Sequence, residues 1–287
     1  MTTTSFKPEM TAAGLSHSAN VSCLDERGEP QEIYLVGERA LTIYVDKQEI
    51  VTLMTIGSHP ELLTLGYLKN QGFFNRLTEL QVIQVDWETE AVAVVSAQTD
   101  SDFSEQMKRR TVTTGCGQGT VFGRLMEKLQ KIKVPDVKVK QSTLYAMLAT
   151  LNAYNEVYKQ SGAVHGCALC EGRRIELFVE DVGRHNAVDA IAGHMWLNNI
   201  SGDNKIFYTT GRLTSEMVIK VTQMGIPILL SRSGATQMGL AMAQQAGVIL
   251  ISRAKGQRLL VLNGGDKVIF DAIPEQRRKS DRKGVLR

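Results

Sequence analysis

The strongest constraint in this 287-residue chain is a run of alternating strand-like and helix-like segments through its second half. LYAMLATLNAYNEVYKQ reads as a helix, and AVHGCALC and RIELFVE read as strands joined by an EGR turn. Helix and strand patterns then alternate as HNAVDAIAGHMWL, KIFYTT, SEMVIKVTQMG, IPILLS, ATQMGLAMAQQAG and VILISR. Repeated strand–helix–strand units of this length predict a parallel sheet covered by helices. The pattern starts after the Pro-containing stretch KIKVPDVKVKQS, which places an α/β domain over 140–272.

The first half reads differently. Residues 1–28 are rich in Thr, Ser and Ala without periodicity and predict a flexible start. QEIYLV and ALTIYVDKQEIVTLMTI predict strands. PELLTLGYLKNQG predicts a helix beginning after Ser58 or His59, with Pro in its first turn. VIQVDWETEAVAVVSA predicts a hairpin around Trp87–Thr89. Together these give a smaller mixed α+β domain over 29–139. Its segment Thr111–Gly123 is dominated by Gly and Thr, which sustain neither regular structure for long.

Composition narrows the class. With 43% hydrophobic and 22% charged residues, the chain has the profile of a soluble globular protein. No apolar run approaches the roughly 18–20 residues of a membrane span, and the first residues show no apolar signal region. Four cysteines are too few for a disulfide framework, so a reducing cytoplasm is expected. The net charge is +3, with residues 141–287 at +6 and residues 1–140 at −3. Most of that excess lies in the final eleven residues, RRKSDRKGVLR, within a basic tail over 273–287. Such a run is usually a solvated end, and nucleic-acid binding is not expected.

Four apolar strands in the second half run into short polar, basic loops: FVE–DVGRHN, FYTT–GRLTSE, ILLS–RSGAT and LIS–RAKGQR. Ligands of open α/β sheets bind outside the carboxyl ends of the strands. The first three loops each open a predicted helix, whose N-terminal N–H groups attract anions. Gly183, Gly211, Gly234 and Gly256 permit close approach of a ligand. Arg184, Arg212, Arg232 and Arg253 offer bidentate phosphate contacts. Thr214, Ser215, Ser233 and Thr236 offer hydroxyls, although such residues also serve simply as N-caps. Four loops of one design in one sheet favour a pocket for a phosphorylated or nucleotide-like ligand. His185, beside Asp181 and Arg184 at a helix start, suits either a positioning role or a donor and acid/base role.

The cysteines divide by context. Cys116 stands between glycines in TTGCGQG, where a thiol on an unblocked backbone suits nucleophilic catalysis or persulfide carriage. HGCALC offers Cys167 and Cys170, but residues three apart on a strand face opposite sides and cannot chelate one ion. Buried core thiols are expected there. A zinc deaminase would need H-x-E followed by P-C-x-x-C. His165 begins H-G-C, no P-C-x-x-C follows, and no protein-bound metal is expected.

EDVGRHNAVD, TTGRLTSEMV, GIPILLSRSGAT, the loop TTGCGQG and the stretch from ALTIYV to NQGFF together resemble the formate dehydrogenase accessory sulfurtransferase family, FdhD. The resemblance runs from about residue 32 to 262. It implies a C-terminal three-layer α/β/α domain like cytidine deaminase, without the zinc chemistry. It implies sulfur transfer from a cysteine desulfurase, through a persulfide on Cys116, to the molybdenum bis(molybdopterin guanine dinucleotide) cofactor of formate dehydrogenase. The family loop often reads C-G-x-C-G; here the second Cys position is Gly119, which leaves single-thiol carriage. The implied cofactor-binding set is Asp181, Gly183, Arg184, His185, Gly211, Arg212, Ser215, Arg232 and Ser233, with the stretch Ile251, Ser252, Arg253, Ala254, Lys255 and Gly256. The implied partners are the desulfurase, the formate dehydrogenase catalytic subunit, the guanine nucleotide moiety of the cofactor and a second copy in a homodimer. The alternative is a non-enzymatic nucleotide-binding or assembly protein in which Cys116 is incidental.

Overall fold

A computed structural model describes residues 6–16, 18–97 and 132–274. Cys116 with its glycine-rich loop, and the basic tail from residue 275, lie outside the described residues.

The chain opens with β1 (Glu9–Met10), β2 (Ser18–Leu24), β3 (Pro30–Val36), β4 (Arg39–Val45) and β5 (Gln48–Thr55). The helix α1 (Pro60–Asn70) follows, then β6 (Leu80–Asp86), β7 (Ala91–Ser96) and β8 (Val139–Lys140). One five-stranded sheet has the order β1-β6-β7-β4-β5, and β2 and β3 form a separate antiparallel ribbon. The hairpin expected around Trp87–Thr89 is the β6–β7 pair, and the expected helix starts at Pro60, in its first turn. The flexible start expected for residues 1–28 is corrected over 9–10 and 18–24. Residues 9–10 pair with β6, and β2 pairs with β3 along its length. The Glu61 carboxylate accepts from Thr11 Oγ1 and from the Ala13 N–H, both at 2.7 Å, and so ties that segment to α1.

The second half continues with α2 (Gln141–Tyr154), α3 (Glu156–Ser161), β9 (His165–Glu171), β10 (Arg174–Asp181) and α4 (Arg184–Leu197). Next come β11 (Lys205–Thr209), α5 (Ser215–Gln223), β12 (Ile228–Ser231) and α6 (Gln237–Ala246). The chain closes with β13 (Ile249–Lys255), β14 (Arg258–Asn263) and β15 (Val268–Ile269), which pairs with β8. Six strands form one sheet in the order β10-β9-β11-β12-β13-β14. The fold is α/β, as expected, but the sheet is not parallel throughout. Only β11, β12 and β13 pair in parallel. The β9–β10 and β13–β14 pairs are antiparallel hairpins turning at Gly172 and Gly256, both at positive φ.

Alternation along the strands builds two apolar layers. Cys167, Leu169, Phe207, Leu229 and Leu250 join the core that holds α4, α5, α6, α1 and the inner face of the five-stranded sheet. Ala168, Cys170, Tyr208, Leu230 and Ile251 face α2. That helix presents Leu144, Met147, Leu148 and Leu151 at helical spacing. Cys167 and Cys170 thus lie on opposite faces, as the strand period predicts. The helix α1 is buried nearly all round because it packs between α4 and the first sheet. The crossing requires glycine: a Cβ on Gly66 would meet the Asp189 carbonyl oxygen at 1.7 Å, and one on Gly193 the Leu62 carbonyl oxygen at 2.0 Å. The two sheets therefore share one continuous core, held at close backbone distance.

Candidate functional site

The hairpin makes β10 run in the same direction as β11, β12 and β13. Asp181, Thr209, Ser231 and the residues after Ser252 therefore end at one edge of the sheet. Backbone hydrogen bonds join the loops there. Arg232 N–H donates to Thr209 O at 3.1 Å, Leu213 N–H to Gly234 O at 2.9 Å and Arg253 N–H to Ser233 O at 2.8 Å. The last strand residues, which the sequence reading passed over, hold the turns. Thr209 Oγ1 accepts from Gly211 N–H at 3.0 Å; Ser231 Oγ donates to Gly211 O at 2.6 Å and accepts from Ser233 N–H at 2.8 Å. Small hydroxyls at strand ends suit this because they satisfy turn groups that no sheet neighbour reaches.

Arg212, Arg232 and Arg253 are exposed at this edge. No carboxylate among the described residues lies within ion-pair distance of any of the three. Arg184 lies across the β11 loop, and a Cβ on Gly211 would meet its Cδ at 2.7 Å, so this glycine makes room for the arginine. The N-termini of α4, α5 and α6 open beside these loops and differ in their capping. Thr236 caps α6 by accepting from Gly239 N–H at 3.1 Å. Thr214 at the start of α5 makes no such bond, and its buried Oγ1 has no hydrogen-bond partner among the described residues. The α5 N-terminus thus presents N–H groups, uncapped by any side chain, that an anion would satisfy. Ser215 is the first residue of that helix.

Other expected site residues are placed differently. Asp181 is buried, and its own neighbours use both its oxygens. Oδ2 accepts from Thr55 Oγ1 and the Ile56 N–H; Oδ1 accepts from Gly183 N–H and Asn186 Nδ2. Burial raises its pKa, against the effect of those donors. Asp181 therefore joins the end of β5 to the start of α4 as a positioning residue. His185 is also buried, with Nε2 3.2 Å from Glu216 Oε2, but that nitrogen makes no hydrogen bond among the described residues. Burial, helped by the nearby Lys220 and Arg184 charges, drives its pKa down to about 2. The ring is neutral at physiological pH and so forms no ion pair with Glu216. The fourth loop opens no helix, because β13 runs through Lys255 into a hairpin with β14. Ile251, Ser252 and Ala254 are buried, whereas Arg253, at φ 50°, Lys255 and Gly256 are exposed.

A cavity of about 500 Å³ opens at this edge, lined by Tyr158, the Gly162–Val164 segment, His165, Thr210, Arg232 and Ser233. Neither Tyr158 nor His165 stood out as a nucleotide contact in the sequence. The signal was nonetheless present: the tight EGR turn sets positions before and after it opposite each other, so that His165 pairs with Asp181. Burial pushes the Cys167 and Cys170 thiols up to about 12, as inert core thiols. Among the described residues, no three His, Cys, Asp or Glu side chains group as metal ligands, and no helix is long and apolar enough to cross a membrane.

The model for the FdhD/NarQ family matches residues 36–269. The sulfur carrier protein FdhD of Wolinella succinogenes is 24% identical over 86% of this chain and 86% of its own length. The proteins of the same name from Bacillus subtilis and Listeria innocua are each 28% identical, over 79% and 85% of this chain and 87% and 95% of theirs. A crystal structure from Desulfotalea psychrophila, described as a formate dehydrogenase accessory protein, shares the fold. Its TM-score is 0.70 at 24% identity, covering 88% of this chain and 98% of that one.

Proposed function

The chain belongs to the FdhD/NarQ family, and from that premise we propose that it is a cytoplasmic sulfur carrier for formate dehydrogenase, working as a homodimer. Cys116 is the carrier thiol. Its thiolate attacks the terminal sulfur of a cysteine desulfurase persulfide; the donor S–S bond breaks, the donor thiolate leaves and Cys116 becomes the persulfide. With glycine at position 119, no second thiol of that loop position is available. An external thiolate attacks the inner sulfur instead, forming a mixed disulfide with Cys116 and releasing the terminal sulfur as sulfide.

The molybdenum bis(molybdopterin guanine dinucleotide) is the substrate that receives the sulfur. The observation supporting this acceptor is the carboxyl edge of the six-stranded sheet. Exposed Arg212, Arg232 and Arg253 and the uncapped α5 N-terminus gather there on interlocked loops. These groups bind pyrophosphate by charge-assisted hydrogen bonds. Asp181 holds its loop in place through Thr55, Gly183 and Asn186.

Incubation with a desulfurase and cysteine should add about 32 Da, one sulfur atom, to Cys116. Cys116→Ala should abolish both the adduct, read by mass spectrometry, and the maturation of formate dehydrogenase. Normal maturation by that variant would refute the carrier role. Binding of guanine nucleotide without any adduct would favour an assembly protein in which Cys116 is incidental.

A further inference from the structure

One wall of the strand-end cavity is formed by groups that carry no charge for phosphate. His165 is the first residue of β9, and its Nδ1 lies 3.5 Å from Thr210 Oγ1. The Thr210 oxygen accepts the Gly166 N–H at 3.0 Å and keeps its own proton and a second lone pair, so it can donate to Nδ1 or accept from it, as the ring tautomer dictates. In the tautomer that accepts at Nδ1 the ring proton sits on Nε2, for which no described residue supplies a partner. Burial, reinforced by the Arg184 and Arg212 charges, holds the imidazole below its usual pKa, so the ring is neutral at physiological pH. Tyr158, 44% exposed, adds an aromatic surface to the lining of the same cavity, and Arg232 adds a guanidinium.

A neutral ring with a single outward donor beside a cluster of arginines is poorly suited to phosphate. It is well suited to a heterocycle edge. Guanine carries an acceptor, O6, where adenine carries the N6 amino donor. An N–H aimed at that position favours guanine and leaves adenine with two donors opposed.

We propose that His165 is the base-recognition residue of this pocket, donating from Nε2 to O6 of a guanine ring stacked near Tyr158. The phosphates then turn toward Arg212 and the start of α5. This rests on the reading of the carboxyl edge as a guanine-nucleotide site.

Calorimetry on the full chain with GDP and ADP tests it. The unaltered protein should prefer GDP. His165→Ala should weaken GDP by about tenfold or more, the effect of one lost hydrogen bond with its partner left unpaired. The same variant should leave ADP nearly unchanged, so that the preference collapses. Arg212→Ala should instead weaken both nucleotides alike. His165→Ala with its GDP preference intact, or with equal losses for both nucleotides, would overturn the proposal while leaving the nucleotide site standing. Absence of binding by either nucleotide to the unaltered protein would remove the nucleotide site and this proposal together. Histidine ¹⁵N spectra of the unaltered protein give a second reading that needs no variant to fold. His165 should show the Nε2–H tautomer and a shift with GDP but not with ADP; no response to GDP would overturn the assignment.

Discussion

The two ends of the six-stranded sheet have cavities of similar size and opposite chemistry. At the amino end of β11 a cavity of about 450 Å³ lies among the C-terminal turns of α1, α4 and α5, where helix dipoles are negative. Its cation is already placed: Lys69 Nζ sits 4.4 Å over the Trp196 ring. Charges beside that end are mutually paired, with Lys205 Nζ 2.8 Å from Glu171 and 3.0 Å from Glu176, and Arg174 bonded to both carboxylates. At the carboxyl end the helices present their N-termini, and Arg212, Arg232 and Arg253 stand exposed with no described carboxylate beside them. Cavity volume does not separate the two ends; helix polarity and unpaired charge do.

Between them lies a buried pair whose loss should have the largest effect. Lys220 Nζ is 2.6 Å from Asp189 Oδ2, and Asn70 Nδ2 donates to Asp189 Oδ1 at 2.7 Å. Lys220→Ala leaves a fully buried carboxylate with its cation removed, and should cost about 3–5 kcal/mol by urea denaturation. A loss below about 1 kcal/mol would mean that water reaches Asp189, and that the core between the two ends is not dry.

The next effect separates the ends directly. Arg212→Ala with Arg232→Ala should weaken GDP about a hundredfold through lost charge-assisted hydrogen bonds, with the melting temperature nearly unchanged. Lys205→Met should do the reverse, lowering stability and leaving GDP binding unaltered. Equal effects of both changes on GDP would erase the distinction between the ends.

The smallest effect is a pH slope. His185 has a folded pKa of about 2, below its ordinary value near 6.5. The unfolded state therefore binds more protons between those values, and stability falls as pH drops below about 6.5, by up to about 1.4 kcal/mol per unit. His165 and His194 are shifted in the same direction and add to the slope. Urea midpoints from pH 7 to 5 should show it, and His185→Gln should flatten it; an unchanged slope would mean that the ring is not buried and neutral in the folded protein.

Much of this was legible from local pattern. Pro60 at the start of α1, the opposite faces of Cys167 and Cys170, and the four arginine-bearing strand ends all follow from short-range periodicity and turn chemistry. The order within residues 1–28 was not, because Thr11 and Ala13 are held by Glu61, about fifty residues away. Asp181 resembled a ligand contact in sequence, since nothing local reveals that Thr55 would reach across to occupy its oxygen. Ile251 and Ala254 read as part of a binding stretch, yet both join the core facing α2: alternation turns Ile251 inward, and the irregularity at Arg253, φ 50°, turns Ala254 to the same face.

By itself the sequence determined most of the elements after residue 28, the family and a set of basic strand ends, because these depend on residues a few positions apart. Strand direction, the depth of Asp181 and His185, and the placement of His165 beside the loops were decided only by the tertiary structure. Hairpin pairing and the Gly66–Gly193 crossing bring distant residues within bonding distance there. A charged side chain is a binding group at an open edge and a structural one once the fold has buried and paired it.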